Sequence, residues 1–338
     1  MKILVLTEGG HKTGFGHLSR CAALTQGISK FGMQAKTVFV VNGDKSGMNF
    51  LRRQSINQII MSDWIKEKDE IINLAKKSDI VIVDSYLAPK ALYVFIYKSI
   101  RPLTGKLICL DDYNRLDYPP SLVLNSSIYG NRVKYKIKPG SLYLLDKDYV
   151  ILRKEFWNIP KKSIKKNVKD ILITFGGVNY GRFPERLVRF ISGKHPKFKY
   201  HFILPESNLS ARAIIRLMLK CDICISSGGQ TLHELARIGL PTIGICLSEN
   251  QRLNLESWEE KGFLEYIGWY NNKDLLQNLD SSIRKLDDPK IRFEMSNAGR
   301  RFVDGQGVRR IIKEILTRLR GNSPPARLAA LASRRSHG

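Results

Sequence analysis

The chain predicts an α/β protein built as two Rossmann-like parallel-sheet domains facing a cleft. Three observations lead there. Both halves alternate short β-type runs with helix-length segments, the pattern of parallel strands joined by helical crossovers. In each half a strand runs into a glycine loop and then a helix, at Gly14-Phe15-Gly16-His17 and at Ser227-Gly228-Gly229-Gln230-Thr231. The length, 338 residues, suits two domains of ordinary size, each able to bury a core.

In the first half the apolar run Ile3-Leu4-Val5-Leu6 predicts a strand over 2–6. Cys21-Ala22-Ala23-Leu24 carries a helix-type pattern, which predicts a helix over 17–31. Strands are expected at 35–41, 80–84, 106–110 and 122–125, with helices at 66–77 and 89–100. The second half repeats the logic. Asp170-Ile171-Leu172-Ile173-Thr174-Phe175 is a strand ending in Gly176-Gly177, and 200–204, 223–226 and 242–246 are further strands. A helix over 231–238 stops at Gly239 with Pro241 just beyond, a helix C-terminus signal. Segments 252–261, 276–286 and 309–320 read as later helices. Charge rises and periodicity lapses over 149–166, so the domains are expected at 1–150 and 151–321. The remainder, 322–338, is rich in Ala, Arg and Pro, and reads as a disordered tail or a non-native extension. A short partner-binding helix is the alternative.

Lysine and arginine outnumber aspartate and glutamate 56 to 31, a formal net charge of +25. Such a charge attracts nucleic acid, an anionic membrane face or an acidic substrate. No basic–aromatic recognition motif accompanies it, so nucleic acid is not expected. Attraction to a membrane face through the basic surface stays open. No apolar run reaches the ~20 residues of a bilayer span, and the strand-like start lacks a signal-peptide cleavage site. A cytoplasmic monomer is expected. Five scattered cysteines fit a reducing compartment. Cys221-Asp222-Ile223-Cys224 spells CxxC, but it falls in what reads as a buried strand without further zinc ligands, so a core role is expected.

His17 stands out among the histidines because glycines flank it and a helix begins there. A titratable imidazole is thereby placed where helix N–H groups are offered to an anion. Val83-Asp84-Ser85-Tyr86 and Leu110-Asp111-Asp112 are polar ends of apolar strands. Asp84 or Asp112 can orient His17, hold a substrate hydroxyl or cap a helix. In the second half, adjacent Gly228 and Gly229 let backbone approach a phosphate, and Thr231 adds a hydroxyl. Glu234, one turn on, is placed to accept two ribose hydroxyls, or is simply a first-turn acid favoured by the helix dipole. Asn250 and Gln251 follow a strand end, where they can bind sugar hydroxyls or start a helix. No Walker lysine, HExxH or carboxylate cluster suggests a metal, and no cofactor is expected.

Together and in order, Gly14–Arg20, Val83–Tyr86, Leu110–Asp112, Tyr149–Phe156, Ile173–Gly177 and Ser227–Glu234 through Gln251 resemble one family. It is the PseG-type nucleotide-sugar hydrolases of the pseudaminic acid pathway, matched over roughly residues 1–315. The resemblance implies a GT-B fold shared with MurG-type glycosyltransferases. It also implies release of UDP from UDP-2,4-diacetamido-2,4,6-trideoxy-β-L-altropyranose. His17 falls on the family's catalytic histidine, and Tyr86 and Asn250 on its substrate contacts; Gly16, Arg20 and Gln251 are assigned to the substrate with them. The pyrophosphate loop falls on Gly228, Gly229 and Thr231, and the ribose acid on Glu234; Gly176, Gly177 and Gln230 are assigned to the nucleotide diphosphate with them. The chain departs from the pattern at Gln230, where a small residue is usual, and at Val178-Asn179-Tyr180 after the glycine pair. Thr7-Glu8-Gly9-Gly10 stands where an Arg-x-Asp pattern is usual. The 204–218 stretch is short, so the second domain is expected to lack a strand and a helix.

The expected reaction is inverting attack of water at the anomeric carbon with His17 as general base. Helix N–H groups near Gly229–Thr231 would stabilise the departing diphosphate. Two rivals share the fold: a glycosyltransferase, in which His17 deprotonates an acceptor hydroxyl, and a nucleotide-sugar-binding protein without turnover.

Overall fold

The computed structural model describes residues 1–319 except 12, 33, 101–105, 177–180, 205, 206 and 208. The expectations placed on Gly177 and on the tail 322–338 lie outside the described residues. The chain folds as two compact units, one formed by Met1–Lys154 with Gln306 onward, the other by Glu155–Gly305. Both are parallel α/β sheets, as predicted, with seven and five strands.

The first unit runs β1 (Lys2–Gly9), α1 (Gly16–Phe31), β2 (Lys36–Gly43), α2 (Lys45–Arg53), β3 (Ile59–Met61) and α3 (Lys68–Lys76). It continues with β4 (Ile80–Asp84), α4 (Lys90–Ser99), β5 (Leu107–Leu110), β6 (Leu122–Asn125) and β7 (Leu142–Leu145). The strand order is β3-β2-β1-β4-β5-β6-β7. The order reverses between β1 and β4, and ligands bind in the crevice at such switch points. β1 extends beyond its apolar run because Thr7, Glu8 and Gly9 stay paired with Val41, Asn42 and Gly43 of β2. Core packing on one sheet face joins Leu4, Leu6, Val81, Val83, Val123 and Trp64. The Trp64 indole N–H donates to the Thr7 carbonyl at 2.8 Å, so this large ring is buried without an orphan donor.

The second unit runs β8 (Asp170–Thr174), α5 (Phe183–Lys194), β9 (Lys199–Ile203), α6 (Ala211–Lys220), β10 (Ile223–Ser227) and α7 (Thr231–Ile238). β11 (Thr242–Cys246), α8 (Glu249–Glu260), β12 (Leu264–Trp269), α9 (Leu275–Lys285) and α10 (Pro289–Phe302) follow. The order β12-β11-β10-β8-β9 puts its switch point between β10 and β8. α7 ends on Gly239 at φ +78°, the left-handed cap predicted for it. The stretch expected to lack a helix holds α6, whose Ser210 cap accepts from the Ala213 amide at 3.2 Å. Cys221 and Cys224 are buried free thiols.

One element differs from the expected domain plan. The last helix among the described residues, α11 (Gly307–Leu319), belongs to the first unit and packs on α1. Its apolar stripe Val308, Ile311, Ile312 and Ile315 is buried. The two helices approach at Gly27, where a Cβ would lie 2.3 Å from Val308 Cγ1. Only glycine permits that approach, and nothing in the local periodicity of 309–320 reveals which sheet the stripe will cover. Among the described residues no helix is long and apolar enough to cross a membrane.

Candidate active site

The switch point of the first sheet gathers the sequence-selected His17, Arg20, Asp84, Tyr86 and Asp112. A backbone bridge between Gly10 and Gly14, with N–H···O distances of 3.0 and 2.8 Å, closes the loop after β1. Gly14 takes φ +75° there, which a side-chain-bearing residue rarely adopts. α1 then starts at Gly16. His17 and Arg20 stand one helical turn apart, on a common face. Both reach Asp84 at the end of β4: His17 Nδ1 lies 2.6 Å from Asp84 Oδ1, and Arg20 Nε donates to Oδ2 at 2.6 Å. Arg20 Nη2 donates to Oδ1 at 2.6 Å, making the pair bidentate. Arg20 Nη1 donates to Asp112 at 2.7 and 3.0 Å, and the Tyr86 hydroxyl donates to the same carboxylate. The Tyr86 ring meets the His17 ring edge-on, centroids 4.5 Å apart.

Charge fixes the roles within this network. Burial alone would push the Asp84 carboxyl up, but Arg20 and His17 outweigh it and hold the group well below the usual carboxylate range. Burial opposes ionisation of Asp112 too, and again Arg20 prevails and holds it down. Burial and then the Asp112 charge push the Tyr86 phenol up, so it stays a donor. With Asp84 an anion, a neutral His17 ring carries its proton on Nδ1, and Nε2 is left as the basic nitrogen. Arg20, assigned to the substrate from sequence, is engaged by two carboxylates and is buried. Gly16 is exposed with open space where a Cβ would project.

A further residue at this site was not singled out from sequence. Glu8 is buried in β1, with Oε1 4.0 Å from His17 Nε2. Its carboxylate accepts from the Ser85 hydroxyl at 2.5 Å and the Tyr86 amide at 2.8 Å. The signal for it was available: an acidic residue near the carboxyl end of an apolar strand, the same cue that selected Asp84 and Asp112.

The second switch point holds the other group. Gly176 follows β8 at φ +78° with open space around it, and the Ser227–Thr231 turn follows β10. α7 begins without a side-chain cap; its Leu232 and His233 amides donate to the Gly229 and Gln230 carbonyls, both at 3.1 Å. Gly228 and Gly229 differ. A Cβ on Gly228 would lie 2.7 Å from Gln251 Cβ and backbone O and 2.8 Å from Leu255 Cγ, so glycine is demanded by packing on α8. A Cβ on Gly229 would meet nothing within 4 Å. Gln251 is a strut: its Oε1 accepts from the Gly228 and Leu247 amides, both at 3.2 Å. Asn254 Nδ2 donates to the Gly228 carbonyl at 2.8 Å from below. Asn250 is exposed in the first turn of α8 and accepts from Ser248 Oγ at 2.6 Å. Gln230 and Thr231 are half-buried, and Glu234 is buried in α7.

No protein-family model matches the chain. An uncharacterised Methanocaldococcus jannaschii protein, MJ1062, is 27% identical over 75% of this chain and 57% of its own length. The Bacillus subtilis spore coat polysaccharide biosynthesis protein SpsG is 23% identical over 92% of this chain and 96% of its own. A Helicobacter pylori protein is 22% identical over 78% of this chain and 48% of its own; it is a pseudaminic acid cytidylyltransferase and UDP-2,4-diacetamido-2,4,6-trideoxy-β-L-altropyranose hydrolase. The chain thus spans about half the length of the first and third of these relatives. Among solved structures, the S. aureus MnaA–UDP structure superposes with a TM-score of 0.62 at 15% identity, covering 96% of this chain and 99% of that one. Neisseria meningitidis UDP-GlcNAc 2-epimerase bound to UDP-GlcNAc gives 0.61 at 15% identity, covering 94% and 100%. The two parallel-sheet units of this chain have the fold of the GT-B glycosyltransferases and epimerases.

Proposed function

We propose that the protein is a nucleotide-sugar hydrolase that releases UDP from a 2,4-diacetamido-trideoxy sugar, in biosynthesis of the pseudaminic-acid type. One observation carries the reading: an imidazole oriented through Nδ1 by a buried carboxylate, at the switch point of a parallel sheet. That is the construction of a general base. Water attacks C1 from the face opposite the diphosphate and gives a proton to His17 Nε2. The C1–O bond to the diphosphate breaks with its electron pair on the leaving oxygen, and the configuration inverts. The α7 N-terminus and the Gly229 backbone would take the growing charge. Tyr86 and Asn250 would hold the sugar, and Glu234 the ribose. The Helicobacter pylori relative, whose name includes this hydrolysis, supports the reading.

Incubation with a panel of nucleotide sugars, followed through the anomeric proton by NMR, tests it. Free sugar of inverted configuration together with the nucleoside diphosphate is expected. A second reading is glycosyl transfer, favoured by the net charge of +25, which suits an acceptor at an anionic surface. Product that appears only when an acceptor is added would establish transfer instead. Tight binding without product on long incubation would establish a binding protein.

A further inference from the structure

His17 Nε2 and Glu8 Oε1 face each other across 4.0 Å, and both side chains are buried, at 9% and 3% exposure. On the ring form that Asp84 selects, Nε2 is an acceptor. Glu8 is an acceptor as well. Its Oε2 takes the Ser85 hydroxyl and its Oε1 the Tyr86 amide, but a carboxylate oxygen has two lone pairs, so Oε1 retains one. Two acceptors at this spacing match a group with two protons to donate. A water about 2.8 Å from each atom closes a triangle on the observed separation, with an angle of about 90° at its oxygen. Both its O–H bonds then point into the protein and its lone pairs point outward.

We propose that Glu8 is a second catalytic residue: with His17 it holds the attacking water, fixing that water's second proton while the first is removed. This rests on the hydrolytic reading above. In the step, the water oxygen bonds to C1 and one of its protons passes to His17 Nε2. The bond from C1 to the diphosphate breaks, with its electrons on the leaving oxygen. The other proton stays on the new anomeric hydroxyl, hydrogen-bonded to Glu8. Glu8 therefore accepts a hydrogen bond and never a proton. Its contacts to Ser85 and Tyr86 hold it rigid, so the water is aimed along a single line.

The test compares Glu8→Ala and Glu8→Gln with wild type on the nucleotide sugar that wild type hydrolyses, with and without azide. Glu8→Ala should lower kcat about 10²-fold with KM little changed, the worth of a misplaced reacting group. Glu8→Gln, which can keep one acceptor and the Ser85 contact, should fall in between. Azide is an anionic nucleophile that needs no hydrogen bond to Glu8 to place it, so Glu8→Ala with azide should yield a glycosyl azide of inverted configuration. A merely structural Glu8 would lose hydrolysis without gaining that product, and this result overturns the proposal. Wild-type or faster hydrolysis in Glu8→Ala overturns it too. Should Glu8→Ala fail to fold by circular dichroism, the same comparison with Glu8→Gln decides, since unchanged kcat there removes Glu8 from the step. Absence of hydrolysis by the wild-type protein is a different result, and overturns the hydrolytic reading itself.

Discussion

Asp84→Asn separates the electrostatic from the steric role of the central carboxylate. Asparagine has nearly the same shape, so no cavity forms, yet the anion that binds both His17 and Arg20 is gone. Two effects follow. The first is on stability. Removing one partner of a buried ion pair costs about 3–5 kcal/mol. Arg20 keeps Asp112, 2.7 Å away, so the lower end, about 3 kcal/mol, is expected here. The second is on turnover. An asparagine amide donates to Nδ1, which transfers the ring proton to Nε2 and removes the base. Such an inverted tautomer costs ~10⁴ in kcat, and ~10³–10⁴ is expected with KM little altered. The pH dependence follows from the same group. The folded-state pKa of Asp84 is depressed, so its contribution is present above the unfolded value of ~3.9 and is lost as pH falls below it. The gap in unfolding free energy between wild type and variant should therefore narrow below about pH 4. Urea unfolding at pH 7 and pH 3, with steady-state kinetics, reads all three. A variant with wild-type kcat and an unchanged midpoint would refute the reasoning.

Three further outcomes are expected. His17→Leu should cut kcat by ~10²–10⁴ while nucleotide-sugar binding, read by calorimetry, hardly changes; undiminished turnover would exclude His17 as the base. Gly228→Ala should destabilise the fold by about 1–3 kcal/mol in a thermal melt, because its Cβ meets α8 backbone at 2.7 Å. Gly229→Ala, projecting into open space, should leave the melt unchanged and weaken UDP binding; equal behaviour of the two would defeat the distinction. Lys162 is buried and donates to the Leu219 carbonyl at 2.7 Å near the end of α6, and burial pushes its ammonium down to about 8. The folded chain releases that proton before the unfolded chain does, at ~10.4, so wild type should gain stability over Lys162→Met as pH rises from 8 to 10. Paired urea titrations showing a constant gap would contradict this.

Much of the first site was legible because parallel sheets place chemistry at the carboxyl ends of strands. Asp84 and Asp112 were selected by that rule, and one of the roles considered, Asp84 orienting His17, is the geometry found. Glu8 obeys the same rule but sits inside β1, where continued pairing with β2 hides the strand's end from a hydropathy reading. Arg20 was read from its neighbourhood as a ligand contact, whereas its charge is absorbed by two carboxylates far away in sequence. Gln251 was read from its place after a strand, but its amide oxygen is spent bracing Gly228 and Leu247. Such facts depend on which distant groups meet, and periodicity carries no record of them. The edge strands β3, β7 and β12 escaped the reading, although β5 and β6, no longer than β7, were found from their apolar runs.

The return of α11 to the first unit bears on how the protein is made. Everything from Glu155 to Gly305 lies, in sequence, between two parts of one globule. A ribosome therefore completes the second sheet before it delivers the helix that the first one still lacks. Until then the α1 surface around Gly27, which Val308 and Ile312 of α11 approach in the finished fold, waits uncovered. Synthesis thus leaves the amino-terminal globule with an apolar flank open to chaperones for the time it takes to translate its neighbour.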